Sequence, residues 1–131
     1  MSSYMPESKS DTHITPDRVF DLIENKWGWK FEEMFDPCPV DGTDGLTIDW
    51  NDKNFVNPPY TLLSEFVAKA HSETFWRHKM TILLLPAKTD QNWFHDYIVE
   101  KGYEILWIRK RLKFKNNKWG ATQPHFLVMM K

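Results

Sequence analysis

Residues 80–85 read MTILLL, an apolar run of strand length in which Thr81 is the sole polar residue. A strand covered on one face alternates apolar and polar residues. A run that is apolar on both parities needs cover on both faces, as in the parallel sheets of α/β proteins. The flanking sequence supplies such cover. Leu62, Leu63, Phe66, Val67 and Ala70 recur at helical spacing and predict a helix that runs to about His78. Beyond the run, residues 91–101 predict a second helix with Trp93, Phe94, Tyr97 and Ile98 turned inward. Helices alternating with a buried strand argue for an α/β sheet, whose ligands gather at the carboxyl ends of its strands.

The rest of the chain fits around this unit. Thr15-Pro16 opens an earlier helix, with Thr15 as N-cap and Pro16 at the first helical position. Val19, Leu22, Ile23 and Trp27 form its buried face, and Gly28 ends it. Strands are expected at 31–35, 46–50 and 54–57, and at 103–108 and 126–130, the last two paired antiparallel. Residues 36–45 form a loop rich in turn residues. Residues 1–12 read as a loose polar leader with no signal-peptide core, and 13–131 as a single domain.

Composition excludes several classes. A chain that is 41% hydrophobic and 15% aromatic is too apolar for disorder. No apolar run approaches the roughly 20 residues of a membrane helix, so no membrane partner is expected. The single cysteine, Cys38, excludes an internal disulfide and fits a reducing cytoplasm. Five scattered histidines without a second cysteine argue against a metal site. The net charge of −1 conceals an asymmetry: residues 101–131 hold 8 Lys and Arg against one acid, Glu104. That tail suits the phosphates of a nucleic acid, and equally a solvated basic face.

The sharpest chemical signal is Asn57-Pro58-Pro59-Tyr60, directly after a short predicted strand. An amino group on an aromatic ring is a poor nucleophile, because its lone pair is delocalised into the ring. An Asn side-chain oxygen and a backbone carbonyl can accept its two N–H groups, orient the nitrogen and favour its pyramidalisation. Pro58 has no N–H and presents its carbonyl on a stiff turn. Tyr60 offers a ring on which an extruded base can stack. The plain alternative is an ordinary strand-ending turn, in which Asn and Pro are common.

With this tetrapeptide the chain resembles the phage-type DNA N-6-adenine methyltransferase family over about residues 13–130. The other matching blocks are Thr15-Pro16, Asp36-Pro37-Cys38-Pro39, Asp44-Gly45-Leu46 with Trp50, Leu84-Leu85-Pro86-Ala87 with Thr89-Asp90, Trp93-Phe94-His95, and Arg111-Leu112-Lys113-Phe114. The resemblance implies a minimal Rossmann-like methyltransferase domain, a mostly parallel sheet with a C-terminal antiparallel strand pair. It has no room for a separate target-recognition domain. The implied reaction carries a methyl group from S-adenosylmethionine to an exocyclic base amino group, adenine N6, in DNA. The compartment would be the host cytoplasm if the chain is phage-encoded, and the protein a monomer or homodimer.

The resemblance also implies residue roles. Asn57, Pro58, Pro59 and Tyr60 are catalytic. Thr15, Pro16, Asp36, Pro37, Cys38, Asp44 and Asp49 lie toward the cofactor, with Asp44 and Asp49 competing for its adenine amino group or ribose hydroxyls. Asp36 and Asp44 can equally be turn-forming acids. Arg109, Lys110, Arg111, Lys113 and Lys115 are the expected DNA contacts, on an exposed hairpin. The chain departs from the pattern in its short 36–44 connection and in Lys110, where many relatives have Gly. Cytosine N4 and a protein glutamine amide suit the same Asn-Pro pair. A non-catalytic DNA-binding module with a degenerate methyltransferase fold is a third alternative.

Overall fold

The computed structural model describes residues 14–38, 44–115 and 123–131. The expected leader at 1–12 and parts of the 36–45 loop and of the basic tail lie outside the described residues.

The apolar run forms the centre of the sheet. Four strands, β1 (Lys53–Val56), β2 (Met80–Pro86), β3 (Glu104–Trp107) and β4 (His125–Met130), lie in the order β1-β2-β4-β3. β2 is buried from Thr81 to Pro86 and serves both faces. Leu83 and Leu85 enter one apolar cluster with Leu63, Phe66, Val67, Phe94 and Ile98. Ile82 and Leu84 enter the other, with Val19, Ile23, Leu112 and Phe114. Burying each such side chain stabilises the fold by about 1.5–3 kcal/mol, so the two-sided cover predicted for this strand is the main content of the core.

Three helices provide that cover. α1 (Asp17–Trp27) lies on one face, and α2 (Leu63–Arg77) with the π-helical turn α3 (Phe94–Val99) on the other. Gly28 ends α1 in the left-handed region at φ 76°, where its amide donates to the Glu24 carbonyl. The start of α1 differs from expectation. Pro16 is its N-cap and has no side chain able to cap, while the Thr15 hydroxyl accepts from Asn57.

Other expectations are corrected. The sheet is not mostly parallel. β1 and β2 are parallel, whereas β4 runs antiparallel to both β2 and β3. β4 enters between β2 and β3, so the expected late strand pair is present and supplies half the sheet. Residues 31–35 are not a strand. Phe31–Glu33 is a 3-10 turn, in which Glu33 Oε1 accepts the Lys30 N–H at 2.9 Å, and Phe35 alone bridges in parallel to Asn54. Residues 46–50 are a turn, since Asp44 accepts the Leu46 N–H on its side chain and the Thr47 N–H on its carbonyl. The basic segment forms no hairpin strand among the described residues. Leu112 and Phe114 are apolar enough to be drawn under α1, so the segment runs along the core with Leu112 and Phe114 buried and Arg109, Lys110, Arg111 and Lys113 exposed.

Candidate active site

β1 and the Phe35 bridge run in the same direction, so their carboxyl ends open on one edge of the sheet. Asp36 follows Phe35 and Asn57 follows Val56. β2 ends on the same edge at Pro86, opposite His125, the first residue of β4. The motif, the Asp36 turn and the loop after β2 therefore converge where an α/β sheet places its ligands.

Asn57 is only 9% exposed, and Pro58 and Pro59 are buried beside it. The parity of β1 turns Asn57, like Phe55, toward α1. There its Nδ2 donates to the Thr15 hydroxyl at 2.9 Å. Tyr60 begins a 3-10 turn that leads into α2. Its hydroxyl lies 3.0 Å from His125 Nε2, with the two rings stacked at 6.2 Å between centroids. Burial pushes the Tyr60 phenol up to about 12, so the hydroxyl keeps its proton across the physiological range.

One face of the Tyr60 turn borders a cleft of about 380 Å³, whose far wall is Lys88, Gln91, Asn92 and Trp93. Lys88, Gln91 and Asn92 carry no role in the sequence reading, and Trp93 was read there only as an inward-facing residue. Their signal was positional: they follow the carboxyl end of the apolar strand β2. His95 packs beside them, its Nε2 donating to the Thr89 carbonyl at 2.7 Å. A larger cleft, about 560 Å³, lies at the amino edge among Glu33, Trp50, Asp52, Lys53 and Lys79. It is at the wrong end of the strands for the motif.

The acids expected toward the cofactor separate. Asp36 is exposed at the carboxyl edge, and its Oδ1 accepts the Cys38 N–H at 2.9 Å, which closes the turn. Asp44 is carried to the same turn by Gly45. A β-carbon on Gly45 would sit 1.7 Å from the Pro37 carbonyl oxygen, so only glycine permits this approach. Asp49 is not brought there. It lies near the amino edge, 3.7 Å from Arg77 at the end of α2.

The basic residues form a shelf beside α1. The Arg18 guanidinium donates to the carbonyls of Arg109 and Lys110 at 3.2 and 3.3 Å, and the Lys115 N–H donates to the Ile14 carbonyl. The side chains of Arg109, Lys110, Arg111 and Lys113 are exposed. Lys115 instead pairs with Asp17. Among the described residues no cluster of His, Cys, Asp and Glu is built to hold a metal, and no helix is long and apolar enough to cross a membrane.

The chain matches the family described as DNA N-6-adenine-methyltransferase (Dam) over residues 2–126. It is 29% identical to the DNA N-6-adenine-methyltransferase of Haemophilus phage HP1, over 94% of this chain and 80% of that protein. No solved structure matches it.

Proposed function

The chain belongs to the DNA N-6-adenine-methyltransferase (Dam) family and is an enzyme of that class, and from that premise we propose that it moves a methyl group from S-adenosylmethionine to adenine N6 at the carboxyl edge of β1. The observation that carries the reading is the placement of Asn57-Pro58-Pro59-Tyr60: a buried amide tied to Thr15, two buried prolines and a tyrosine on the wall of an open cleft. The family match favours adenine N6 over cytosine N4 and over a glutamine amide.

The residues suit a zwitterionic nucleoside donor. The start of α1 has no side-chain cap, so the amides of Asp17 and Arg18 suit a carboxylate, while the Val19 N–H donates to the Pro16 carbonyl. Asp36, exposed on the same edge, suits an ammonium. Asp44, beside it through Gly45, suits hydroxyls or an amino group. Thr15, Pro16, Pro37 and Cys38 would line the space between them. S-adenosylmethionine, when bound, supplies an electrophilic methyl on a sulfonium.

The chain's own residues then have distinct tasks. Asn57 Oδ1 and the Pro58 carbonyl accept the two N–H groups of the adenine N6, which turns its lone pair out of the ring and toward the donor. Pro59 stiffens the turn, and Tyr60 stacks on the extruded base. Arg109, Lys110, Arg111 and Lys113 contact backbone phosphates. The parallel β1–α2–β2 unit with helices on both faces supports a reduced Rossmann-like fold, in a single domain over 13–131.

Nucleoside mass spectrometry of unmethylated DNA, treated with the protein and S-adenosylmethionine, tests the reading. N6-methyladenine is expected from the wild type and none from Asn57→Ala. N4-methylcytosine, or equal product from the variant, would overturn it.

A further inference from the structure

We propose that His125 is a positioning residue: it accepts the Tyr60 hydroxyl proton on Nε2 and so holds the Tyr60 ring in the plane on which the target base stacks. The proposal rests on the reading of Tyr60 as the stacking platform.

β4 is buried at every position from His125 to Met130, and His125 is the one titratable residue in it, only 2% exposed. A buried polar ring is costly unless its nitrogens are hydrogen-bonded. Both nitrogens of His125 have partners. Nδ1 lies 3.2 Å from the Gln123 carbonyl, and Nε2 lies 3.0 Å from the Tyr60 hydroxyl. A carbonyl only accepts, so Nδ1 carries the hydrogen. In the neutral ring Nε2 then holds a lone pair, and the Tyr60 hydroxyl is the donor. The phenol, which burial keeps protonated, is suited to that part.

The ring of His125 is itself fixed. Phe114 packs edge-on against it at 5.4 Å and 73°. His125 in turn lies nearly parallel to the Tyr60 ring, at 27°. Pro58 and Pro59 hold Tyr60 at its backbone, and His125 holds it at the far end of the side chain. A platform restrained at both ends loses less freedom when a base arrives, which is how a distant contact enters the rate.

A double-mutant cycle tests this, with single-turnover methyl transfer to unmethylated genomic DNA as the readout. Tyr60→Phe and His125→Leu should each slow transfer by roughly five- to tenfold, the worth of one hydrogen bond, and the double variant no more than either. His125→Gln, which can present an acceptor at the same place, should recover most of the loss. Multiplying losses in the double variant, about 25- to 100-fold, would overturn the proposal. Nitrogen-15 spectra of the histidine rings in the intact wild-type protein give a check that needs no variant. The Nδ1–H tautomer is expected for His125, and the Nε2–H tautomer would overturn the assignment. Wild-type transfer by Tyr60→Ala would remove the stacking reading and this proposal with it. Multiplying losses alongside a damaged Tyr60→Ala would remove His125 alone.

Discussion

The Asn57 amide nitrogen donates to the Thr15 hydroxyl at 2.9 Å, a contact between residues 42 apart in sequence and both almost fully buried. With Nδ2 directed at Thr15, Oδ1 is on the opposite side of the group, and Oδ1 is the atom that the chemistry of an aromatic amine requires. The contact also joins the start of α1 to the end of β1, the two elements proposed to face the methyl donor and the methyl acceptor.

Removing either partner should therefore slow transfer, by different amounts. Asn57→Ala should cost on the order of 10²–10³ in single-turnover rate, typical of losing an oriented acceptor, with S-adenosylmethionine affinity nearly unchanged. Thr15→Val keeps the volume but leaves the amide nitrogen without this partner. It should cost roughly tenfold, and Thr15→Ser should restore the rate. A Thr15→Val enzyme as fast as wild type would show that the hydroxyl does not orient Asn57.

Tyr60 should behave as two functions in one side chain. Tyr60→Ala loses the platform, worth roughly 1–3 kcal/mol per stacked base, together with the hydroxyl contact to His125. Tyr60→Phe keeps the platform and loses the contact, so its rate should fall between wild type and Ala. Stacking alone would let Phe substitute well. The hydroxyl contact to a residue 65 positions away changes that expectation, and single-turnover kinetics on the three proteins checks it.

The contrast shows what was legible in the chain. Local periodicity exposed α1, α2 and β2, because their apolar spacing is imposed by the faces they bury. The Asn57–Tyr60 tetrapeptide was legible because its residue types suit the handling of a planar amino group. His125 and the Thr15–Asn57 contact were not, since each depends on register across the sheet and not on neighbours in sequence. The 46–50 turn and the Phe31–Glu33 turn were mistaken for strands because short apolar stretches satisfy both patterns. Parallel order was overestimated because nothing in the sequence of β4 says that it inserts between β2 and β3. The basic segment was read by its charge, while Leu112 and Phe114 determine its path.

Gly45 separates structural from ligand-binding roles near the Asp36 turn. Gly45→Ala would drive a methyl group into the Pro37 carbonyl. The turn must shift, and overpacking of this kind typically costs about 1–3 kcal/mol. The variant should melt several degrees lower and bind S-adenosylmethionine more weakly. Asp36→Ala and Asp44→Ala should weaken cofactor binding while changing the melting temperature less. Calorimetric titration beside thermal unfolding distinguishes them. Unaltered cofactor affinity in either Asp variant would take that residue out of the site.

Glu73 anchors the amino edge and gives the fold a pH dependence. Burial works to raise its carboxyl. Hydrogen bonds from Lys69, Arg77 and the Trp50 N–H outweigh that effect and hold it below its ordinary value. A carboxyl that is more acidic folded than unfolded contributes stability that is present above its ordinary value near 4.5. That stability is lost as the pH falls through the lower folded value. Glu73→Gln should be less stable than wild type at pH 7, by about 1–3 kcal/mol, and should lose less on acidification below pH 5. Melting curves at pH 7 and pH 4 check this, and equal acid sensitivity of the two proteins would remove Glu73 as its source.

The basic shelf makes the most direct link from charge to function, and the structure divides its five members. Arg109, Lys110, Arg111 and Lys113 are exposed on a segment that Arg18 braces through backbone carbonyls, so their charges are held near the carboxyl edge of β1. Lys115 is paired with Asp17 and closes the segment onto α1. A cation already matched by a carboxylate displaces fewer counterions on meeting a phosphate. Duplex affinity should fall with salt at a slope of about −0.9 per neutralised phosphate. Replacing Arg109, Lys110, Arg111 and Lys113 by Gln should flatten that slope by a few units and leave cofactor affinity unchanged. Lys115→Gln should hardly alter the slope, and should instead lower the melting temperature by loosening the segment from the helix. Fluorescence anisotropy of a labelled duplex across a salt series, in the three proteins, reads all of this. Parallel slopes for the quadruple variant and wild type would place the DNA surface elsewhere, and the shelf would then be a solvated face braced by Arg18.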